Sequence, residues 1–391
     1  MKLLNHSIKA RILWLLASCM ALIISSPMAG LKAQKIRESR DESQSQMTWE
    51  HSDDGLKRRL QVRGKAEFND DYSDIVSVSE GGWVIVEEHT GSQSYRYEVR
   101  RDIGGNLTRA FFVNGSARPL DDTARRWLAK FVLDAVRQGG FDAEKRVQRI
   151  LSKGGVPAVL AEIDLIPGDY AKRKYYQELL KQANLDANAL RDVLRQVARN
   201  ISSDYEQAQL LIAVAPMLTG KEAAIQPFFD AVATIKSDYE HSRVLKTLLK
   251  QGTPSRPVLV LVASSTKSIS SDYEKAGVLK RVADVYLDDP TLREIFFQTV
   301  ASIASDYERR GVLTALVKTK SQSEEVLRLL LDSAARISSD YEKATFLIQV
   351  SNVYTGETRL KEAFLRAVET IKSDYERGRV LSALLKNKQI G

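Results

Sequence analysis

The chain predicts an α+β fold, mainly α: an N-terminal antiparallel β-meander followed by a right-handed αα-solenoid of helix-turn-helix repeats. Three observations predict it. Ser-Asp-Tyr-Glu occurs six times at a fixed interval, because Asp204, Asp238, Asp272, Asp306, Asp340 and Asp374 are each 34 residues apart. Such a period marks stacked repeats. Residues 81–115 alternate apolar and polar side chains between glycine-containing turns, as half-buried strands do. The chain also opens on Lys2, Lys9 and Arg11, followed by an uncharged run from Ile12 to Leu31, which is how an export signal begins.

Residues 1–34 are therefore expected to be a signal peptide or a retained membrane anchor. The strongly apolar part, Ile12–Ile24, is short for a spanning helix. Leu31-Lys32-Ala33 is the best available cleavage site. Cys19 is the only cysteine, which rules out an intramolecular disulfide. The stretch Leu16–Cys19 resembles a lipoprotein box and makes Cys19 a candidate lipidation site; the alternative is a small apolar residue within the signal. Either way the bulk of the chain is expected in the periplasm or cell envelope.

Residues 35–55 are polar and read as a linker. A β-domain follows over 56–118, with Tyr95, Tyr97 and Val99 on one face of a strand and Arg96, Glu98 and Arg100 on the other. Gly81-Gly82, Thr90-Gly91, Gly104-Gly105 and Asn114-Gly115 supply its turns, and about five strands are expected. A helical cap spans 119–167, with Trp127, Leu128, Phe131 and Val132 on an apolar stripe and helices ending at glycine. The array occupies 168–391, beginning with a weaker copy at Gly168-Asp169-Tyr170-Ala171.

Each repeat starts a helix at its tetrapeptide. Ser203 with Glu206, and the equivalent pairs in the other five copies, fit a capping box, in which Ser accepts the Glu backbone N–H and Glu reaches back to the Ser N–H. Asp in the first turn faces the positive end of the helix dipole. Leu211, Leu245, Leu279, Leu313, Leu347 and Leu381 begin an apolar stripe, and a second helix closes each complete repeat at Ile235, Ile269, Ile303, Ile337 or Ile371. The last repeat stops after its first helix, so its outer face is expected to be polar, as a cap requires.

The motif residues Ser203, Asp204, Tyr205 and Glu206, with Asp238, Tyr239, Asp272, Tyr273, Asp306, Tyr307, Asp340, Tyr341, Asp374 and Tyr375, are expected to be structural. The tyrosines would wedge between neighbouring helices. The alternative is that the rows of carboxylate and phenol bind cations or sugars. Identical residues at equal intervals form a ladder rather than the convergent, unequal set that catalysis needs, so no catalytic residue, metal ligand or cofactor is expected and the chain is read as a non-enzyme.

Thirty-four residues is the tetratricopeptide length, but the repeats lack that family's Trp/Leu-Gly/Tyr pattern. In period and helix pairing, residues 168–391 resemble the HEAT and armadillo αα-solenoids. The β-meander followed by "ARRWLAKFV", "EKRVQRIL" and the GDYA/SDYE array resembles the extracytoplasmic region of bacterial membrane metallopeptidases of the β-lactam-sensing type. His6, His51, His89 and His241 form no His-Glu-x-x-His pair, so the peptidase itself is missing.

Charge adds little: 58 basic against 50 acidic residues gives +8, and the two signs are interspersed within the array. Lys57, Arg58, Arg59, Arg63 and Lys65 form the sharpest basic cluster, suited to an anionic surface. Nucleic acid is not expected. The expected function is an exported scaffold binding a protein or peptide through the solenoid's concave surface, with possible membrane association through the N-terminus. The alternative is a membrane-tethered sensory or regulatory module whose β-domain binds the ligand.

Overall fold

The computed structural model describes residues 34–39, 46–252, 254–284, 289–319, 323–353 and 358–386. The predicted export segment with Cys19, and most of the turn at 354–358, lie outside the described residues. The chain divides into two compact parts, the first ending at Val132 and the second beginning at Leu133. That division falls inside a helix, α1 (Asp122–Gly139).

The first part is built on strands β1 (Gln34–Ser39), β2 (Gln46–Asp53), β3 (Leu56–Arg63), β6 (Trp83–Thr90), β7 (Gln93–Arg101), β8 (Leu107–Val113) and β9 (Ser116–Arg118), in that spatial order. Every neighbouring pair is antiparallel. A separate hairpin, β4 (Ala66–Phe68) with β5 (Ile75–Val78), is inserted between β3 and β6. The stretch read as a linker is thus largely strand: it adds β1 and β2 to the five strands that residues 56–118 contribute to the sheet. Asp54 and Gly55, at φ 36° and 85°, make the tight turn joining β2 to β3.

Trp49, on β2, is fully buried, as are Leu60, Val84, Val86, Tyr97 and Val99 on the same face. Leu128, Phe131 and Val132 of α1 are buried with them, and Trp49 meets Phe131 edge to face at 6.0 Å. Trp127 donates its indole N–H to Glu88 at 3.1 Å, while Arg58 pairs with the other oxygen of that carboxylate at 2.6 Å. Burial pushes the Tyr97 hydroxyl up to about 12; it donates to Asp74 at 3.1 Å. The opposite face is a charge ladder in which Arg59 pairs with Glu50 at 2.6 Å and Arg100 with Glu98 at 2.8 Å. The basic cluster of β3 is therefore partly neutralised by its neighbours.

The second part contains α2 (Ala143–Asp164), α3 (Asp169–Gln182), α4 (Ala187–Asn200), α5 (Asp204–Val214), α6 (Glu222–Ala233), α7 (Asp238–Leu248), α8 (Arg256–Thr266), α9 (Asp272–Asp284), α10 (Pro290–Ala301), α11 (Asp306–Val317), α12 (Glu324–Ala335), α13 (Asp340–Ser351), α14 (Thr358–Glu369) and α15 (Asp374–Lys386). The glycines expected to end a helix near 154 do interrupt it, so α2 is two helical segments joined across a kink. Gly155 takes φ 66°, a conformation costly for a residue with a Cβ, and Pro157 restarts the helix.

The odd-numbered helices from α3 to α15 pack side by side in one layer, and the even-numbered helices from α4 to α14 in another. Each repeat places one helix in each layer, so a continuous apolar core runs between them from Ala143 to Leu384. Leu211, Leu245, Leu279, Leu313 and Leu347 are completely buried, and so are Ile303 and Ile371 of the closing column. Burying a side chain of this size contributes roughly 1.5–3 kcal/mol. Leu381 in the terminal helix is 37 % exposed and Leu385 is 65 % exposed, beside exposed Asp374, Ser382 and Lys386, so the open face of α15 is mixed.

Among the described residues no helix is long and apolar enough to cross a membrane.

Candidate functional site

The repeated tetrapeptide forms a joint between neighbouring repeats, and its parts are best taken one at a time. In all six copies the Ser hydroxyl accepts the Glu backbone N–H three residues on, at 3.3–3.4 Å. This half of the predicted capping box forms.

The other half does not. The N–H of each capping Ser goes instead to the Asp of the preceding repeat. Asp204 accepts from Lys236 and Ser237, Asp238 from Ser270 and Ser271, Asp272 from Ala304 and Ser305, Asp306 from Ser338 and Ser339, and Asp340 from Lys372 and Ser373, all at 2.7–3.2 Å. Asp169 of the weaker copy does the same for Ser202 and Ser203. Side-by-side packing of the odd helices brings each entry loop within reach of the carboxylate before it, and charge-assisted bonds of this kind are among the stronger ones. The Asp340 carboxyl is held below its ordinary value chiefly by the Ser373 amide. Asp374 has no described repeat beyond it: its side chain is 91 % exposed and pairs with Arg377 of its own helix. The carboxylate rows offered as a cation site are therefore turned into the neighbouring backbone.

Each Glu, freed from the capping box, finds a cation. Glu206 pairs with Arg173, Glu274 with Lys246 at 2.7 Å, Glu308 with Lys280 at 2.7 Å and Glu342 with Arg310, each on the preceding odd helix. A Cβ on Gly277 or Gly311 would stand 2.8 Å from Cε near the tip of Lys246 or Lys280, so glycine there spares the end of the crossing lysine a small shift. Glu240 instead forms an ion pair within its own helix, with Arg243 at 3.1 Å. Burial pushes its carboxyl above the ordinary value against the attraction of that arginine.

The residue after each motif, where it is basic, reads from sequence as an exposed partner for the motif's own acids; Lys275 and Lys343 are instead buried, and the position has a consistent task. Gln207 donates to the Ala231 carbonyl at 3.1 Å, Lys275 to Ser302 at 3.0 Å, Arg309 to the Arg336 carbonyl at 2.9 Å and Lys343 to the Thr370 carbonyl at 3.1 Å. Each acceptor lies at the C-terminal end of the even helix of the same repeat, where three of the four donors place a positive charge at the negative end of the dipole.

His241 fills this position in its repeat and lies 2.8 Å from the Ser265 hydroxyl. Burial pushes its imidazole below the ordinary value, against the pull of Asp238. The unfolded imidazole thus takes up its proton first, and stability falls as pH drops through about 6.5 until the folded imidazole also protonates. We expect His241→Gln, which copies Gln207, to flatten the dependence of the urea midpoint on pH between about 5 and 7. An unchanged slope would contradict the assignment.

Tyrosine is the remaining position. Tyr205, Tyr239, Tyr273, Tyr307, Tyr341 and Tyr375 are 52–75 % exposed, while Tyr72, Tyr97, Tyr175 and Tyr176 are fully buried. The expected wedge between helices is therefore incorrect. The second residue of each odd helix points away from the core, and the gap between repeats is already closed by Asp and Glu. An arginine guanidinium lies over the rings of Tyr205, Tyr307 and Tyr341 at 5.2–5.7 Å, and Arg173 similarly covers Tyr170 at 5.2 Å. The motif thus builds a row of outward phenols, one on each odd helix. Comparison with protein-family profiles, curated proteins and solved structures gives no match to this chain.

Proposed function

We propose that this protein is a non-enzymatic binding scaffold whose tyrosine row holds an extended protein or peptide partner. One observation carries the proposal: in most of the motifs Ser, Asp, Glu and the following residue join helices, whereas every Tyr stays more than half exposed even where an arginine lies over one side of its ring. Tyrosine and arginine are the side chains most enriched where binding energy concentrates, because they offer large contact area with a polar handle. An exposed aromatic row on a repeat array suits a linear partner. The resemblance to HEAT and armadillo solenoids supports the same reading, and the apolar N-terminal run supports its placement in a bacterial cell envelope.

The test is site-specific photocrosslinking in cells, with the crosslinking amino acid at Tyr239, Tyr273 or Tyr307 and, for comparison, at Gln298 on the exposed side of α10. One partner captured from all three tyrosine positions and not from Gln298 is the expected result. Absence of crosslinks at the tyrosines, or equal capture from Gln298, would overturn the proposal.

A second reading has its own observation. A cleft of about 470 Å³ on the sheet is lined by Lys57, Arg58, Arg59 and His89 together with Glu50 and Glu87, a mixed-charge lining that suits a sensory module binding a small polar ligand there. Crosslinks from Lys57 and His89, with none from the tyrosines, would favour it.

A further inference from the structure

We infer that the partner places cationic side chains, guanidinium groups foremost, on the neighbouring rings of Tyr239 and Tyr273, so that the segment held there is an arginine-containing peptide. This rests on the binding role proposed above and adds the partner's chemistry.

The chain itself shows what sits on a phenol of this row. Tyr170, Tyr205, Tyr307 and Tyr341 each lie under an arginine at 5.2–5.7 Å. That arginine comes from one of two places. Arg173 and Arg310 stand three residues after the tyrosine they cover, whereas Arg243 and Arg379 stand four residues after the tyrosine of the next repeat. For Tyr239 the same two places hold Ser242 and Gly277, and for Tyr273 they hold Ala276 and Gly311. None of these can supply a cation. The lysines that reach the two glycines are held elsewhere, Lys246 by Glu274 and Lys280 by Glu308, both at 2.7 Å. Tyr239 and Tyr273 therefore keep uncovered rings, 59 % and 69 % exposed. Tyr375 is uncovered as well, but the neighbouring ring, Tyr341, is taken by Arg379, so it offers a single site.

A phenol face attracts a cation through its quadrupole, and a guanidinium also stacks flat on it and gives up water readily. Elsewhere in the row the chain meets that attraction itself; at these two rings a partner must. Charge beside the pair is mixed. Asp238 and Asp272 accept backbone amides, Glu240 holds Arg243, and Lys275 is buried and turned to Ser302. Lys236, in the entry loop before Tyr239, is exposed, while Lys372 belongs to the loop before Tyr375 and lies outside the pair. No surplus of either sign marks the place, so the ring faces do the selecting.

The experiment uses the full chain and fluorescent Gly-Ser peptides carrying two arginines roughly two to six residues apart, measured by anisotropy. Peptides with citrulline for arginine keep the shape and lose the charge. The arginine peptide should bind about fivefold or more tightly than its citrulline form, as expected of two exposed cation–π contacts. Gly277→Arg with Gly311→Arg should remove that preference, because each new arginine would cover its phenol as Arg243 covers Tyr205. Tyr239→Leu with Tyr273→Leu should remove it too, at an unchanged melting temperature because both rings are exposed. Tyr205→Leu with Tyr341→Leu should leave it intact.

Equal binding of the two peptides, binding of neither, or a preference that survives both double variants at 239/273 and 277/311 would overturn the inference. So would equal loss in Tyr205→Leu with Tyr341→Leu, because the pair would then not be special. Lys236→Ala removes a competing cation; a marked loss of affinity there would point to an anionic partner and also count against it. Photocrosslinks from the tyrosine row without any arginine preference would sink this inference alone and leave the scaffold reading standing, whereas absence of those crosslinks bears on the binding role itself.

Discussion

Asp272→Ala is expected to destabilise the array by about 2–3 kcal/mol, more than loss of an ordinary surface carboxylate. The Asp272 carboxylate accepts two backbone N–H groups, from Ala304 at 3.0 Å and Ser305 at 2.8 Å. Hydrogen bonds to a charged group are each worth about 1.5–3 kcal/mol. The sum is discounted here because the entry loop is only partly buried and water can reach the abandoned donors. These amides also belong to the next repeat, so the loss falls on the coupling between neighbours rather than on one helix. In a repeat array such coupling sets cooperativity. Urea unfolding of Asp272→Ala should therefore show a lower midpoint and a broader transition. Asp374→Ala supplies the control, because its carboxylate bonds only within its own helix and the substitution should leave the midpoint nearly unchanged. Equal effects at the two positions would count against the joint.

Glu162→Ala should cost about 3 kcal/mol, at the lower end of the range for breaking a buried ion pair. Arg137 donates to both Glu162 oxygens at 2.8 and 2.9 Å, and Arg146 donates twice to one of them at 3.1 and 2.8 Å. Burial opposes ionisation of this carboxyl, but the hydrogen bonds from Arg137 and the charge of Arg146 hold it below its ordinary value. Its contribution is present above the unfolded carboxylate pKa, about 4.3, and is lost as pH falls through the lower folded value. Arg137 is partly exposed, so solvent softens the cost. Glu162→Gln keeps the shape without the charge and should fall between the parent and the alanine variant in thermal unfolding. A glutamine variant as stable as the parent would show that the charge contributes nothing.

The array was legible because its signals are local and periodic. Ser at the N-cap, the leucine column and the isoleucine column each depend on spacing along one chain, and the structure places them as the spacing predicts. Much less legible was whatever depends on the neighbouring repeat. Asp204 looked like a dipole partner for its own helix, but its acceptor role falls on Ser237, a contact that exists only once α5 and α7 lie side by side. Glu274 looked like the closing half of a capping box until Lys246 from the preceding helix claimed it. The pairing of Lys246 with Gly277, and of Lys280 with Gly311, was a readable trace of that crossing, since a small residue recurs where a long one must pass. Tyr273 illustrates the limit from the other side: period says that a residue recurs, but only packing says whether it points inward.

Strand β2 was missed for a different reason. Its outward residues Thr48, Glu50 and Ser52 gave the stretch a linker's polarity, although Met47, Trp49 and His51 alternate with them. Asp54-Gly55, a strong hairpin signal, sat at the end of the supposed linker. The charged outer face outweighed the alternation in a window that began among polar residues. Trp49 was the residue to weigh more heavily, because a fully buried indole belongs to a core.

Native-state hydrogen exchange at the Ala304 and Ser305 amides tests the joint between repeats most directly. In the parent protein both should be protected because their acceptor is Asp272; in Asp272→Ala both should exchange markedly faster, while the Ser339 amide, held by Asp306, keeps its protection. Unchanged exchange at 304 and 305 in that variant would contradict the account, because it would mean that the repeated aspartate does not hold the repeats together.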